Sequence, residues 1–204
     1  MKICGDCHGL IDFYKEKIEH LEGEGIHSIL LGELGFKKQH DWFIKSGLAK
    51  NNKILFGNHD YWPYLDNEYS LGRYKSLPEY NMFAIAGAFS IDKQWRLEGR
   101  DWWKEEEATL DEEHKIQMAY EQAKPDIVIS HDAPSSIIIP LFNYGYLFPD
   151  GQRTNNLLQR LLNIHRPKVW IFAHHHKTKD QTIDGTRFIC LDELQTIDLE
   201  TLIN

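Results

Sequence analysis

The chain has 204 residues, of which 42% are apolar, so it is long enough to bury one substantial core and short for two ordinary domains. Its formal charge of −8 argues against a protein that grips DNA or RNA mainly through phosphates, because such binding needs a basic surface. No apolar run reaches the roughly eighteen residues of a membrane helix, and no signal-peptide core follows the first methionine. We therefore expect a single cytoplasmic domain over residues 1–204, with no membrane partner and no strong nucleic-acid-binding surface.

Five short apolar runs with strand character recur along the chain, and each ends in a polar cluster. They are residues 2–4, 27–31, 53–56, 126–130 and 168–173. Segments with helical spacing lie between them, at 11–21, 42–49, 116–123 and 157–162. A hairpin is predicted at 182–192, turning at Asp184-Gly185. Strands that alternate with helices favour a layered α/β fold whose function lies in loops beyond the carboxyl ends of the strands.

The stretch from residue 61 to about 110 differs from the rest of the chain. It contains four of the six Trp residues with several Tyr, and no clear helical period over 61–103. We predict an irregular, aromatic-rich excursion beside or partly over the active face, with one further strand at 82–86. Its aromatic rings are expected to pack in the core or in a lid, and the alternative is that some stack on a nucleobase. The candidates for stacking are Trp62, Trp95, Trp102 and Trp103.

Charged residues of the same region allow two interpretations. Arg73, Arg96 and Arg100 are candidates for contact with a phosphate, and the alternative is that they are merely solvated. The acidic runs 105–107 and 111–113 are expected to form a solvated face that opens the next helix, because acidic side chains suit a helix start.

The polar clusters contain residue types that bind metals. The first is Gly5-Asp6-Cys7-His8-Gly9, in which the alternation of an extended chain would point Asp6 and His8 to one side. The next two are Gly32-Glu33-Leu34-Gly35 and Gly57-Asn58-His59-Asp60. The last two are Ser130-His131-Asp132 and Ala173-His174-His175-His176, where the same alternation would place His174 beside His176.

Together these clusters resemble the calcineurin-like metallophosphoesterases. The ordered signature of that family is Gly-Asp-x-His, Gly-Asp, Gly-Asn-His-Asp or Glu, a lone His, and Gly-His-x-His. All five blocks occur in this order between Lys2 and His176. The stretch 87–93 is also similar to a little-characterised bacterial and phage branch of the family. The resemblance implies a four-layer α/β/β/α sandwich, in which two β-sheets lie between helices.

The resemblance also implies a site for two divalent metal ions. The first ion would take Asp6, His8, Glu33 and His176, and the second Glu33, Asn58, His131 and His174. This mixed set of imidazole and oxygen ligands suits Mn²⁺, which we favour, and also Fe or Zn²⁺. The two ions would give this acidic protein a positively charged centre that binds phosphate. A hydroxide bridging the ions would then attack the phosphorus of the bound ester. The expected partner is a small phosphate ester, with a nucleotide as one candidate.

The implied activity is hydrolysis of a phosphodiester or a phosphomonoester. We favour the diester, because small members of the family often act on diesters and His131 completes the ligand set. His59 is not a ligand in this assignment, and a neighbouring imidazolium could protonate the leaving alkoxide or stabilise its charge, so His59 is the candidate general acid. Asp60 and Asp132 are predicted to orient adjacent imidazoles. His175 and the histidines outside the blocks, His40 among them, are expected to be structural or surface residues.

Two positions depart from the family pattern. Glu33 stands where the family has a bridging Asp, and its extra methylene extends the carboxylate by about 1.5 Å. Ala173 replaces a Gly and adds one methyl group, which is expected to be tolerated. Glu33 motivates an alternative function, a metal-binding regulatory or interaction module of the same fold with little or no turnover.

A rival motif overlaps the first cluster. Cys4-Gly-Asp-Cys7-His8 matches the C-x-x-C-H pattern of covalent haem attachment, and its C-x-x-C is also found in redox sites. Haem attachment leaves the other four clusters unexplained. The three cysteines are an odd number and do not suggest a disulfide framework. We expect Cys7 simply to fill the variable position of the block.

Overall fold

The computed structural model describes residues 1–143 and 153–203, and within them ten strands form two sheets. In spatial order, the first sheet contains β10 (Thr196–Asp198), β1 (Lys2–Cys4), β2 (Ser28–Leu30) and β3 (Asn52–Ile54). The second contains β4 (Tyr74–Leu77), β5 (Met82–Ile85), β6 (Ile127–Ser130), β7 (Val169–Phe172), β9 (Thr186–Cys190) and β8 (Lys179–Ile183). The helices are α1 (Ile11–Ile18), α2 (Lys37–Lys45), α3 (Leu110–Ala123), α4 (Ser135–Phe142), α5 (Arg153–Ile164) and α6 (Glu200–Ile203).

The central strands of the second sheet are buried on both faces. Ile127, Ile129 and Ile171 pack in one apolar cluster with the first sheet, whereas Val128 and Trp170 pack in a second cluster with α3, α4 and α5. Successive side chains of a strand point to opposite faces, so a strand covered on both sides reads as a continuous apolar run. This accounts for the uninterrupted runs at β6 and β7.

Helices α1 and α2 cover the first sheet. Tyr14, Ile18 and Phe43 of these helices are buried in the cluster that contains Ile3 and Ile29. The layers are therefore helices, sheet, sheet and helices, which confirms the predicted four-layer sandwich. No helix among residues 1–143 and 153–203 is long and apolar enough to cross a membrane.

The parallel strands of each sheet end at a common edge. In the first sheet β1, β2 and β3 run parallel, with Leu30 paired to Cys4 on one side and Ile54 on the other. In the second sheet β5, β6, β7 and β9 run parallel. Each of the five polar clusters follows the carboxyl end of one of these strands, so the strand order brings distant parts of the sequence to one edge.

Most elements agree with the sequence-based expectations. The five apolar runs and the run 82–86 form strands, and Ile183 pairs with Thr186 across the predicted two-residue turn at Asp184-Gly185. Both turn residues have positive φ, 48° and 86°, as such hairpins require.

The helix boundaries and the excursion show the differences. Helix α2 lies earlier than the predicted 42–49 and ends at Lys45, because Gly47 adopts a left-handed φ of 78°. Helix α4 was not predicted, since its unbroken apolar run contains Pro140. The excursion has no α-helix before Leu110 in the described chain, as expected, and it supplies the predicted β5 and the unpredicted β4 to the second sheet. That residues 1–204 form one domain stays a prediction.

Candidate metal centre

The carboxyl ends of five strands bring seven potential metal ligands together. One group consists of Asp6, His8, Glu33 and His176, and the other of Glu33, His131 and His174. Within each group, one ligand-type atom from every residue lies within 4.8 Å of the others. Asn58 Oδ1 lies 3.1 Å from His131 Nε2, beside the second group. Glu33 belongs to both groups and therefore lies between them.

The first group is tightly converged. His8 Nε2 lies 2.7 Å from His176 Nε2, and Asp6 Oδ2 lies 3.1 Å and 3.3 Å from these two nitrogens. Atoms that share an ion at bonds of about 2.1 Å have separations of this size. Asp6 Oδ1 is buried and accepts no hydrogen bond from any residue that the structure describes. Such an oxygen is suited to a cation, because a buried acceptor without a partner is otherwise costly.

His131 presents one nitrogen to the second group. Its Nδ1 donates to the Leu31 carbonyl at 2.6 Å, which leaves Nε2 facing Asn58 Oδ1 and Glu33 Oε1. Donation from the other ring nitrogen is the usual way in which a protein orients a metal-binding imidazole. The ring is therefore held in the orientation that presents Nε2 to a metal.

Two glycines make room for the His131 ring. A Cβ at Gly57 would lie 2.7 Å from its Cε1 and Nε2, and one at Gly32 would lie 2.5 Å from its Nδ1. Real Cβ atoms do not approach other atoms so closely, so any side chain here would displace the ring. The glycines of the second and third clusters thus allow the two sheets to meet around His131.

Electrostatics favours a cation at both groups. Burial alone would raise the pKa of Asp6, but its contacts with His176 and His8 lower it to about 2. Burial would lower the pKa of His8, but Asp6 and Glu33 raise it to about 10. In the same way, Glu33 overcomes burial and raises the pKa of His131 to about 9. Without metal, imidazolium protons balance the two carboxylates, and divalent ions would replace them. The residues present therefore fit such ions.

Strained backbone is concentrated in these groups. Four of the nine non-glycine residues with positive φ in the described chain are potential ligands: His8 (45°), Glu33 (61°), His174 (67°) and His176 (47°). A left-handed residue other than Gly costs about 1–2 kcal/mol and persists where surrounding structure imposes it, often at functional sites. The extended alternation predicted for residues 6–8 and 174–176 is therefore wrong. These segments turn at the histidines instead, which sends His174 and His176 to different groups.

Asp60 joins the second and third clusters through the backbone. Its Oδ2 accepts from the N–H of Glu33 at 2.7 Å and from the N–H of Gly57 at 2.8 Å. Its Oδ1 lies 3.1 Å from Nε2 of His40, whose Nδ1 lies 2.7 Å from the Tyr69 hydroxyl. Asp60 was predicted to orient an adjacent imidazole, and the one that it contacts is the buried His40. Sequence spacing gave no sign that His40 belongs to this network.

Asp132 contacts a histidine outside both groups. Its Oδ1 lies 3.1 Å from His175 Nε2, and the His175 ring stacks on Phe142 with centroids 4.3 Å apart. Burial alone would raise the pKa of Asp132, but His174 and His175 lower it. Asp132 thus holds its charge beside the last cluster, and His175 has the structural environment expected from the sequence.

A buried chain of hydrogen bonds orients Asn58. The Ser90 hydroxyl donates to Glu106 Oε2 at 2.6 Å and therefore accepts from Asn58 Nδ2, at 3.0 Å. The amide oxygen of Asn58 is consequently the atom that faces His131. Glu106 also accepts from the Ser90 N–H at 2.9 Å. Glu106 is only 2% exposed, so the expectation that residues 105–107 form a solvated face is wrong at this position.

His59 lies beside this chain. Its Nε2 is 3.1 Å from Asn58 Nδ2 and 3.3 Å from Arg96 Nη2. Both neighbours are donors, so Nε2 accepts and the ring proton lies on Nδ1. Burial lowers the pKa of His59, although Glu33 opposes the shift. The neutral ring with a proton on Nδ1 is therefore favoured here, rather than the imidazolium that the sequence suggested.

The other arginines of the excursion are engaged elsewhere. Arg73 is buried, donates to the Glu105 carbonyl and pairs with Glu112 at 3.3 Å. Arg100 is largely exposed and pairs with Asp101 at 2.7 Å. Of the three arginines considered for phosphate contact, Arg96 is the one that reaches the site.

Burial also shows which of the four tryptophans could stack on a ligand. Trp62 and Trp103 are buried and cannot stack on a ligand, Trp102 is partly buried, and Trp95 is 80% exposed.

Cys4 and Cys7 are both fully buried, and burial raises the pKa of the Cys4 thiol to about 12. Neither thiol is open to haem attachment or redox exchange, so the rival motif has no support in the structure.

Comparison with known proteins agrees with this geometry. The model of the family described as calcineurin-like phosphoesterase matches residues 2–178. The chain belongs to the calcineurin-like phosphoesterase family. Membership implies metal-dependent hydrolysis of phosphate esters in general, and the two ligand groups are the candidate sites for the divalent ions. Comparison with curated protein sequences gives no match.

Two solved structures share the fold of this phosphoesterase. The protein TT1561 of Thermus thermophilus has a TM-score of 0.60 and 13% identity, over 98% of this chain and 95% of that chain. The phosphopantetheinyl hydrolase PptH of Mycobacterium tuberculosis has a TM-score of 0.52 and 12% identity, over 94% of this chain and 89% of that chain. At such identities the similarity establishes the fold alone.

Replacing Ser90 with alanine tests the chain that orients Asn58. The variant loses the hydroxyl that accepts from Asn58, so the amide is no longer held with its oxygen towards His131. We expect metal affinity at the second group to fall about ten- to a hundredfold, the usual effect of removing an outer contact to a ligand. Competition with a chelator, followed by metal analysis, measures it.

The exposed Ser76 of β4 provides a matched control, and Ser76→Ala should bind metal as the wild type does. The variant at Ser90 should retain one ion under conditions in which the wild type retains a pair. Equal loss of both ions, or no loss, would contradict this role of Ser90.

Proposed function

We propose that this phosphoesterase hydrolyses a small phosphodiester or phosphomonoester with a pair of divalent ions. The observation that carries the proposal is the position of the Glu33 carboxylate. Its Oε1 lies 3.3 Å from His131 Nε2 and its Oε2 lies 2.8 Å from His8 Nδ1, so one side chain reaches both ligand groups. A shared carboxylate of this kind is what a dinuclear centre requires, and Glu33 supplies it despite the family preference for Asp.

The ligand assignment follows the two groups. The residues proposed for the first ion are Asp6, His8, Glu33 and His176, and those for the second are Glu33, Asn58, His131 and His174. Imidazole with carboxylate and amide oxygen suits borderline ions, and we favour Mn²⁺ over Fe and Zn²⁺. When bound, such a pair would acidify a water molecule and neutralise phosphoryl oxygens.

The remaining residues orient the proposed ligands, and His59 provides a hydrogen-bond donor. Asp60 fixes the backbone of Glu33 and Gly57, and the chain through Ser90 fixes the Asn58 amide. His59 is neutral with its proton on Nδ1, an atom that donates no hydrogen bond to any described residue. A neutral ring would become an imidazolate if it gave up this proton, so we propose that Nδ1 donates a hydrogen bond to the leaving alkoxide and stabilises its charge.

Among substrates, we favour diesters. The full ligand set includes His131, and small family members often act on diesters. A nucleotide is a further candidate, because the exposed Trp95 offers a ring face next to Arg96 in the sequence, although Trp62 and Trp103 are buried. The cytoplasmic location expected from the sequence also stays a proposal.

The principal test uses metal-stripped protein. Initial rates of hydrolysis of bis(p-nitrophenyl) phosphate and p-nitrophenyl phosphate should be negligible without metal and restored by Mn²⁺. Diester cleavage above monoester cleavage supports the preferred substrate class, and monoester cleavage alone would make the protein a phosphatase. No cleavage of either ester with Mn²⁺, Fe²⁺ or Zn²⁺ would leave the metal-binding regulatory module as the better function.

Glu33→Asp separates the enzyme from the regulatory module. Aspartate is the family residue and shortens the side chain by about 1.5 Å, so we expect kcat/KM to be kept or raised. Steady-state rates with the diester measure this, with Glu121→Asp on the exposed face of α3 as the control. An inactive wild type that gains activity with Asp at this position would identify the chain as a degenerate module.

His59→Ala tests the hydrogen-bond donor to the leaving group. Removing one donor to a developing oxyanion typically reduces turnover about 10²- to 10³-fold, and we expect kcat to fall within this range while metal content stays near that of the wild type. His20, which is exposed just beyond the end of α1, provides a control, and His20→Ala should leave both quantities unchanged. A variant at His59 that loses a metal ion would show that His59 is a ligand.

A further inference from the structure

We propose that Arg96 binds an anionic oxygen of the substrate phosphate beside the metal centre, and that Asp92 holds its guanidinium for that contact. This inference rests on the proposed function, since it names a substrate-binding residue for the same site. The ligand class is a phosphate or phosphate-ester anion.

The guanidinium is held in place by its own segment. Arg96 Nη2 donates to Asp92 Oδ2 at 2.6 Å, and Nη1 donates to the Asp101 carbonyl at 3.3 Å. Asp101 in turn accepts from the Leu97 N–H at 2.6 Å, which closes the loop around the arginine. The segment 90–101, which contains Arg96, contacts the metal centre through the hydrogen bond between Ser90 and Asn58. A guanidinium fixed in this way loses little freedom when it binds an anion.

Unpartnered donors indicate what is missing beside Arg96. Within the part of the chain that the structure describes, Arg96 Nε and His59 Nδ1 are buried and have no hydrogen-bond partner. The two side chains touch, with Nη2 of Arg96 3.3 Å from Nε2 of His59. Buried donors without an acceptor are costly, and an absent ligand is a common explanation. Asp92 Oδ1, on the carboxylate that pairs with Arg96, is also buried without a described partner. The two atoms where Arg96 and His59 meet are donors, and one belongs to a cation, so an anionic acceptor fits them.

The position of Arg96 matches a substrate contact. The rings of His59 and His8 have centroids 6.3 Å apart, so the arginine lies one side chain away from the first ligand group. Its side chain is 21% exposed, which leaves it accessible without being fully solvated. Arginine is well suited to phosphate because its planar fork can donate to separate oxygens.

Titration of the metal-loaded protein with inorganic phosphate tests the proposal without requiring turnover. By calorimetry, we expect Arg96→Ala to bind phosphate about ten- to a hundredfold more weakly than the wild type, the effect of losing a charge-assisted hydrogen bond. With the diester substrate, KM should rise by a similar factor. Arg96→Lys keeps the charge but not the fork and should be intermediate, and Asp92→Asn should weaken binding by a smaller factor.

Arg166→Ala is the matched control. Arg166 is partly exposed and pairs with Asp184 at the hairpin turn, so its removal deletes the same charge away from the site and should leave phosphate affinity unchanged. Metal content and thermal unfolding of every variant confirm that the centre is intact. If Arg96→Ala fails to fold, the comparison of Arg96→Lys with wild type decides the question.

Two results would overturn the proposal. Equal phosphate affinity in the wild type and the Arg96 variants would show that the guanidinium does not contact the anion. A fall in kcat with unchanged phosphate affinity and KM would show that Arg96 acts only through His59. Failure of the proposed function is distinguishable from failure of this proposal. A wild type without turnover under any metal would contradict the proposed function, while its phosphate titration would still test the role of Arg96.

Discussion

The burial of two carboxylates, Asp6 and Glu33, is the constraint on which the site depends. A buried charge is tolerated only with a close partner of opposite sign, and here four histidine rings and the ends of five strands are arranged around the pair. Bringing these side chains together strains the backbone, because Glu33 and three of the histidines adopt left-handed conformations that cost free energy. The sandwich provides the rigid surroundings that impose such conformations, because the inner strands of both sheets are packed on both faces and cannot relax locally.

The two sheets contribute differently to this arrangement. The loops after β1, β2 and β3 of the first sheet carry the potential oxygen ligands, and Asp60 joins two of these loops by accepting from their backbone N–H groups. The second sheet supplies His131 and His174, and the ring of His131 crosses to the first sheet to donate to the Leu31 carbonyl. The centre therefore depends on the register between the sheets. The glycines at 32 and 57 are two positions at which a side chain would displace the His131 ring.

Much of this organisation could be predicted from the sequence, because apolar runs that end in polar clusters mark the carboxyl ends of parallel strands. The convergence of Asp6 with His8 was predicted for the wrong local reason, since an extended chain was assumed where His8 turns left-handed. Helix α4 was missed because its apolar run has no polar face and contains Pro140. The sequence could not single out Arg96 among the three candidate arginines, because its position depends on the path of an excursion without periodicity. The burial of Glu106 was missed because acidic residues near a helix start are usually solvated.

That excursion couples the metal centre to the region proposed for substrate binding. Ser90 and Arg96 lie on one short segment after β5, where Ser90 orients the Asn58 amide and Arg96 reaches the His59 ring. Asn58 and His59 are adjacent, and the Asn58 amide contacts the His59 ring at 3.1 Å. A shift of this segment would therefore change two positions at once, that of the Asn58 amide facing His131 and that of the Arg96 guanidinium beside His59. Variation in this segment should therefore alter metal affinity and phosphate affinity as linked properties, whereas substitutions in α3 or at the hairpin turn should alter neither.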